Sequence, residues 1–291
     1  MPRKLTKPNL SVIIPAYNEE NSIESCLKSL LTQSYPAKEI IIVDDGSTDN
    51  TREIIQRLAK ANKQLKLLKG KHEGPGVSRN LGAQQAKGEV LILVDADMTF
   101  DKGYLKELIK PIQSGKTIGT EDGQQIASNP KNVWSRCWGT YFKDYIDQEK
   151  GYIFRAILKS SFQKMGGFNS KYGYADDLTF YYDHGATSIR VPKAKCYHKN
   201  PETLNEVYKQ SRWIGASLNN TLLTTPLINL LAPFLLLLIS PILITLLTIK
   251  KTIQTKNYDL FFPWMFLFII TRYFGTLEGI ARKVYLNKNT R

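Results

Sequence analysis

Asp95 and Asp97 stand one residue apart, directly after the apolar run Val90-Leu91-Ile92-Leu93-Val94. A run this rich in aliphatic side chains reads as a strand buried on both faces, so both carboxylates emerge at its carboxyl end. A side-chain period of two turns them to the same side. Two like charges held that close are costly unless a cation shares them. A hard divalent ion that also carries phosphate oxygens is the usual solution.

The elements that must position this pair follow from the hydrophobic pattern. Residues 10–16 and 40–43 read as strands, and Ile23, Leu27, Leu30 and Leu31 mark one face of a helix between them. Asp49 is placed as the N-cap of a helix running to about residue 60. Residues 65–68 read as a third strand, Gly74-Pro75-Gly76 opens a helix through Ala86, and residues 90–94 form the central strand. Strands alternating with helices predict an α/β fold with a doubly wound, mostly parallel sheet. Ligands on such sheets bind at the carboxyl ends of the strands. Those ends carry Pro15-Ala16-Tyr17-Asn18-Glu19, Asp44-Asp45-Gly46-Ser47 and Asp95-Ala96-Asp97. Further on, the pattern predicts a strand near residues 117–119 and an aromatic helix over 134–146, with Trp134, Trp138 and Tyr141 at helical spacing. A helix from Asp176 or Asp177 to His184 and a strand over 188–191 follow.

The 291 residues carry a net charge of +14, which calls for a polyanionic neighbour. The basic residues are scattered, with no run that reads as a nucleic-acid arm, so a membrane is expected rather than a nucleic acid. Cys26, Cys137 and Cys196 show no metal or disulfide spacing and read as small buried hydrophobes in a reducing compartment. The basic N-terminus lacks the pattern of a signal peptide, which predicts that the first two thirds stay on the cytoplasmic side. Residues 213–249 contain no charged side chain and exceed the roughly 20 apolar residues that a bilayer span needs. Pro226, Pro233 and Pro241 punctuate them, and a second apolar stretch, 260–271, runs into Arg272 and Glu278. Two crossings would leave Lys250, Lys251 and Lys256 outside, against the positive-inside tendency. One span, two spans, a hairpin and an interfacial helix all fit. The expected division is a cytoplasmic catalytic domain over residues 1–212 and a membrane-associated helical segment over 213–291.

Four ordered motifs carry a family resemblance. They are Val12-Ile13-Ile14-Pro15-Ala16-Tyr17-Asn18-Glu19, Val43-Asp44-Asp45-Gly46-Ser47-Thr48-Asp49, Ser78-Arg79-Asn80-Leu81-Gly82 and Val94-Asp95-Ala96-Asp97. Over about residues 10–213 the chain resembles the inverting nucleotide-sugar glycosyltransferases of family 2, which have the GT-A fold. The resemblance implies that Pro15, Ala16, Tyr17 and Glu19 hold the base and ribose, and that Asp45 accepts from the base edge. It places Arg79 near the donor diphosphate, Asp95 on ribose or on metal through water, and Asp97 as direct ligand of Mg²⁺ or Mn²⁺. Gly166-Gly167-Phe168 and Tyr174-Ala175-Asp176-Asp177-Leu178 resemble the region that carries the catalytic base. The family pair is Glu-Asp, which favours Asp177; in another register Asp177 is a helix cap and Asp176 takes the role. His198 resembles a late metal ligand or phosphate contact. Lys209-Gln210-Ser211-Arg212-Trp213 resembles the Gln-x-x-Arg-Trp signature of polymerising relatives, with Lys209 where Gln is expected. Gln210, Arg212 and Trp213 are thereby candidates for acceptor or diphosphate contacts, or equally a belt at the bilayer.

The implied activity is metal-dependent transfer from a UDP- or GDP-sugar to a lipid, glycolipid or other membrane-associated acceptor at the cell membrane. A sugar-1-phosphate nucleotidyltransferase would need a glycine-rich loop where Pro15-Ala16-Tyr17-Asn18-Glu19 stands. A catalytically inactive membrane scaffold would not require the acidic set at Asp45, Asp95, Asp97, Asp176 and Asp177.

Overall fold

The structure, a computed structural model, describes residues 2–139, 149–218, 234 and 236–286. It divides into two compact units: the described parts of Met1–Ile126, Phe142–Ser170 and Asp176–His198, and those of Ala127–Tyr141, Lys171–Ala175 and Lys199–Arg291.

The first unit is built on β1 (Leu10–Ala16), which is buried throughout. Its side chains alternate between two apolar clusters. Val12 and Ile14 pack with Ile23, Cys26, Leu27 and Leu30 of helix α1 (Ile23–Leu31), and with α4 (Tyr104–Gln113). Ile13 packs in the other cluster with Ala83 of α3 (Pro75–Gln85), with Phe162 of α6 (Lys159–Lys164), and with Phe154, Phe168 and Phe180. Each such aliphatic side chain contributes about 1.5–3 kcal/mol by leaving water. A one-residue slip of β1 would exchange the two sets.

Among the described residues the sheet has nine strands, in the order β3-β2-β1-β4-β8-β6-β9-β5 with β7 beside β9. β2 (Glu39–Asp44), β3 (Leu65–Lys69) and β4 (Val90–Leu93) pair with β1 or each other in parallel. The remainder is antiparallel: β8 (Ala156–Leu158) against β4 and β6 (Gly119–Ala127), and β9 (Ser188–His198) against β5 (Met98–Phe100) and β7 (Lys150–Gly151). The parallel half matches the sequence reading. β5, β7 and β8 are too short to give a period, and β6 and β9 run well beyond the expected 117–119 and 188–191.

Four local expectations need correction. β4 stops at Leu93, and Asp95 and Asp97 lie in the turn that leads into β5, so strand alternation does not orient them. Helix α2 (Thr51–Ala61) has Asn50 at its cap position, although the Asp49 carboxylate still accepts from the Thr51 N–H at 3.0 Å. The 176–184 helix is a 3₁₀ segment, Ser170–Leu178, followed by α7 (Thr179–His184). Of the aromatic helix, α5 (Val133–Trp138) ends before Gly139, and Tyr141 lies outside the described residues.

The second unit packs α5, α8 (Leu204–Leu218), α9 (Ser240–Thr255) and α10 (Phe266–Leu286) around Cys137, Trp138, Val207, Ile244, Met265 and Phe268. α8 runs through the composition boundary at 212/213. It meets α10 so closely that a Cβ on Gly279 would stand 2.0 Å from the Arg212 carbonyl oxygen. Small residues permit such backbone approach between apolar helices. Residues 219–233 and 235 of the long uncharged stretch lie outside the described part. By length and composition, the described segment able to cross a membrane is Tyr258–Lys283. It continues through Arg272 and Glu278, which the sequence reading took as interruptions.

Candidate active site

Asp95 is gripped from two sides. Arg79 Nη2 donates to its Oδ1 at 2.5 Å and Arg155 Nη1 to its Oδ2 at 3.0 Å. Each arginine reaches a second carboxylate: Arg79 Nη1 donates to Asp176 Oδ1 at 3.1 Å, and Arg155 Nε lies 3.3 Å from Asp122 Oδ2. Tyr104 Oη and Cys196 Sγ also donate to Asp122 Oδ2. The result is an alternating chain, Asp176–Arg79–Asp95–Arg155–Asp122, with Arg79, Arg155, Asp122 and Asp176 all buried. Burial alone would raise the Asp95 carboxyl, but the two guanidinium groups outweigh it and hold Asp95 well below the usual carboxylate range. The cation shared by Asp95 is thus, first of all, a pair of arginines.

Asp176 sits where the sequence reading placed a diphosphate. Gly76 lacks a side chain, and a Cβ there would stand 2.7 Å from Asp176 Oδ2. The carboxylate therefore closes on the first turn of α3 and accepts from the Gly76 N–H. Helix N-termini favour such anions. Arg79 and the helix start are both engaged by Asp176, and desolvation still leaves the Asp176 carboxyl raised.

Asp97 has a different environment. The antiparallel pairing of β5 with β9 sets Met98 opposite His198, which brings His198 Nε2 within 3.3 Å of Asp97 Oδ2. Asp97 Oδ1 and His198 Nδ1 are buried without a hydrogen-bond partner among the described residues. Desolvation raises the Asp97 carboxyl despite the nearby imidazole, and Asp95 adds to the rise.

Asp177 is partly buried in the same acidic neighbourhood, and its carboxyl is pushed up to about 7 by desolvation and by Asp176. Leu178 occupies the cap position of α7, which has no side-chain cap hydrogen bond, so the capping register does not describe Asp177.

A second group forms where the tips of β1 and β2 are stitched together. Asp45 N–H donates to the Ala16 carbonyl at 2.8 Å, Asn18 N–H to Ser47 Oγ at 3.0 Å, and Glu19 N–H to Thr51 Oγ1 at 2.7 Å. Pro15 and Ala16 are buried within β1, so they frame the site rather than line it. The Tyr17 ring lies 4.5 Å from the His72 ring. Asp45 is only 1% exposed, and its carboxylate accepts from the Glu73 and Gly74 N–H groups at 3.2 and 2.9 Å. It holds the loop that opens α3.

Gln210, Arg212 and Trp213 belong to α8 of the second unit. Arg212 Nη1 lies 3.7 Å from Glu278 Oε1, and Trp213 packs edge-on against Tyr174 at 4.9 Å. The structure thus brings together Asp95, Asp97, Arg79, Asp176, Asp177 and His198. Arg155 and Asp122 were missed. The available signal was an arginine inside Phe154-Arg155-Ala156-Ile157-Leu158, because a charge in a buried run requires partners.

Comparison with known proteins identifies the family and the fold. The model of the family "Glycosyl transferase family 2" matches residues 11–165, more than half of the chain. The uncharacterized glycosyltransferase YibD of Escherichia coli (strain K12) is 46% identical over 88 residues, which cover 30% of this chain and 26% of YibD. The poly-β-1,6-N-acetyl-D-glucosamine synthase of Staphylococcus epidermidis is 26% identical over 221 residues, 70% of this chain and 53% of the synthase. The chain therefore spans about half or less of the length of these relatives. A crystal structure of S. aureus TarS 1–349 in complex with UDP superposes with a TM-score of 0.54 at 21% identity, covering 97% of this chain and 93% of that one. A mixed sheet whose parallel half ends in this acidic cluster, together with the family match, makes the chain a member of glycosyltransferase family 2 with the GT-A fold.

Proposed function

We propose that the chain moves a sugar from a UDP-sugar to a lipid or glycolipid acceptor at the cytoplasmic face of the cell membrane, with inversion at the anomeric carbon. The observation that carries this reading is the contrast between two kinds of carboxylate. Asp95 and Asp176 are tied to arginines, whereas Asp97 keeps a buried oxygen without a partner among the described residues and the Asp177 carboxyl is pushed up to about 7.

Asp97 and His198 suit Mg²⁺ or Mn²⁺. No cluster of three or more protein ligands occurs among the described residues, and two protein donors leave positions for diphosphate oxygens and water. When bound, the cation neutralises charge that develops on the departing nucleoside diphosphate. Asp95 has both oxygens engaged by arginines, so its part is to face the ribose side of the donor while Arg79 and Arg155 fix its orientation. Asp177 takes the proton of an acceptor hydroxyl as the new C–O bond forms and the bond to UDP breaks. A base near pH 7 combines availability with driving force. Tyr17 and Asp45 flank the base.

The UDP assignment is supported by the TarS neighbour solved with UDP. Membrane association is supported by the apolar segment Tyr258–Lys283 and by the net charge of +14. The test is nucleoside diphosphate release by the full chain in lipid nanodiscs, over a panel of UDP- and GDP-sugars with and without Mn²⁺. Metal-dependent release of UDP, raised by membrane lipid extract, is expected. Release confined to GDP-sugars, or indifferent to metal, would contradict it.

A further inference from the structure

We propose that Glu121 is a positioning residue for the donor: it clamps the segment that delivers Arg155 to Asp95. The inference rests on the transferase reading above for its kinetic readout, and on the geometry of the first unit for everything else. Glu121 lies on β6 and is only 2% exposed. Its two carboxylate oxygens are engaged in different directions. Oε2 accepts from the Tyr152 N–H at 2.9 Å and from the Ile153 N–H at 3.2 Å, while Oε1 accepts from Arg190 Nη2 of β9 at 3.2 Å. Tyr152 and Ile153 belong to the short segment between the end of β7 at Gly151 and the start of β8 at Ala156. Gly151 permits the close approach, since a Cβ there would stand 2.1 Å from Glu121 Oε2.

Three consecutive residues of β6 hold this segment. The Thr120 carbonyl accepts from the Arg155 N–H at 2.8 Å, Glu121 holds the N–H groups of residues 152 and 153, and Asp122 Oδ2 lies 3.3 Å from Arg155 Nε. Side chains alternate along a strand, so Glu121 and Asp122 leave β6 on opposite sides. One fixes the backbone that approaches Arg155, and the other fixes its guanidinium. Arg155 Nη1 then reaches Asp95 at 3.0 Å. A fork that must meet two carboxylates tolerates a displacement of only about 0.5 Å. Charge-assisted hydrogen bonds from backbone N–H groups are among the stronger means of holding a chain to that tolerance. Glu121 thus acts on the donor through Arg155 and Asp95, without touching it.

The test is a double-mutant cycle on the full chain in lipid nanodiscs, with donor KM and kcat measured for Glu121→Ala, Arg155→Lys and the pair. Glu121→Ala should raise donor KM by about tenfold, the scale of one hydrogen bond to a charged group, and leave kcat within about twofold. In the Arg155→Lys background the same change should add less than about twofold, because the two residues act as one unit. Glu121→Gln keeps an acceptor oxygen for the two N–H groups and should restore most of the donor KM, with a lowered melting temperature from the lost charge beside Arg190. Independent effects in the pair, or a Gln variant as impaired in KM as the Ala variant, would overturn the proposal and leave Glu121 a structural residue. If Glu121→Ala does not fold, Gly151→Ala, which crowds the same carboxylate oxygen, takes its place in the cycle. A donor-free reading comes from hydrogen exchange of the Arg155 guanidinium, followed by nitrogen NMR. Exchange should be slow in the unmodified chain and at least about tenfold faster in Glu121→Ala or Gly151→Ala; unchanged exchange would overturn the proposal. Absence of turnover with every donor would count against the transferase reading alone, and the exchange measurement would then decide the role of Glu121.

Discussion

Arg155 Nη1 lies 3.0 Å from Asp95 Oδ2, and the same guanidinium reaches Asp122 on its other side. Removing one partner of a buried ion pair typically costs about 3–5 kcal/mol because the remaining charge is stranded. Arg155→Met leaves Asp122 without its cation and Asp95 with Arg79 alone, so it should lower the melting temperature and abolish turnover together. Arg155→Lys, which keeps the charge but loses the fork, should fold and show a raised donor KM. Thermal melts alongside steady-state kinetics separate the two effects; a lysine variant with unaltered KM would show that Arg155 does not orient Asp95 for the donor.

Asp97 and His198 should respond together to metal. Asp97→Asn is expected to lower kcat/KM by at least about 100-fold, and His198→Ala by about 10- to 100-fold with a raised Mn²⁺ requirement. Chelation of the unmodified enzyme should abolish turnover, and Mn²⁺ should restore it. Activity of His198→Ala with an unchanged metal requirement would remove His198 from the cation site.

Asp177 couples activity and stability to pH in opposite directions. Its carboxyl titrates at about 7 in the folded protein and near 3.9 when unfolded. Between these values the folded state binds more protons, so the contribution of Asp177 to stability falls as pH rises from about 4 to 7. The ionised form is the base, so kcat/KM with a hydroxyl acceptor should rise through about pH 7. Asp177→Asn should remove the rise, and the stability difference between the two proteins should change in the stated sense. A phosphate acceptor is already anionic, and with it Asp177→Asn should be milder than Asp97→Asn. A pH profile for Asp177→Asn parallel to the unmodified enzyme would exclude the base assignment.

Asp45 holds two backbone N–H groups of the loop before α3. Asp45→Ala should destabilise by about 1–3 kcal/mol as those donors lose their acceptor. It should also erase the difference between UDP and GDP in thermal-shift measurements. Loss of stability with nucleotide discrimination intact would make Asp45 a loop anchor alone.

The parallel half of the sheet was legible because continuous apolar runs, each ending in polar residues, leave little choice of strand or face. The acidic motifs were legible for the same reason, since they stand at the ends of those runs. The antiparallel half was not, because Ala156–Leu158 and Met98–Phe100 are too short to show a period. With them went the partners of the site: Arg155 precedes one short strand, and His198 is set beside Asp97 by the pairing of the other. Asp95 and Asp97 lie in the turn after Leu93, which sets them beside arginines and a histidine respectively, and no strand period reports those neighbours. Asp176 at the start of α3 depends on a contact between residues 100 apart in sequence, 76 and 176, which no local pattern reports.

Calorimetric titration of Mn²⁺ into the UDP-saturated full chain tests the cation site most directly. One Mn²⁺ should bind per chain, with binding weakened at least about 100-fold by Asp97→Asn. Equal Mn²⁺ affinity in the two proteins, or none in the unmodified chain, would contradict a cation held at Asp97 and His198.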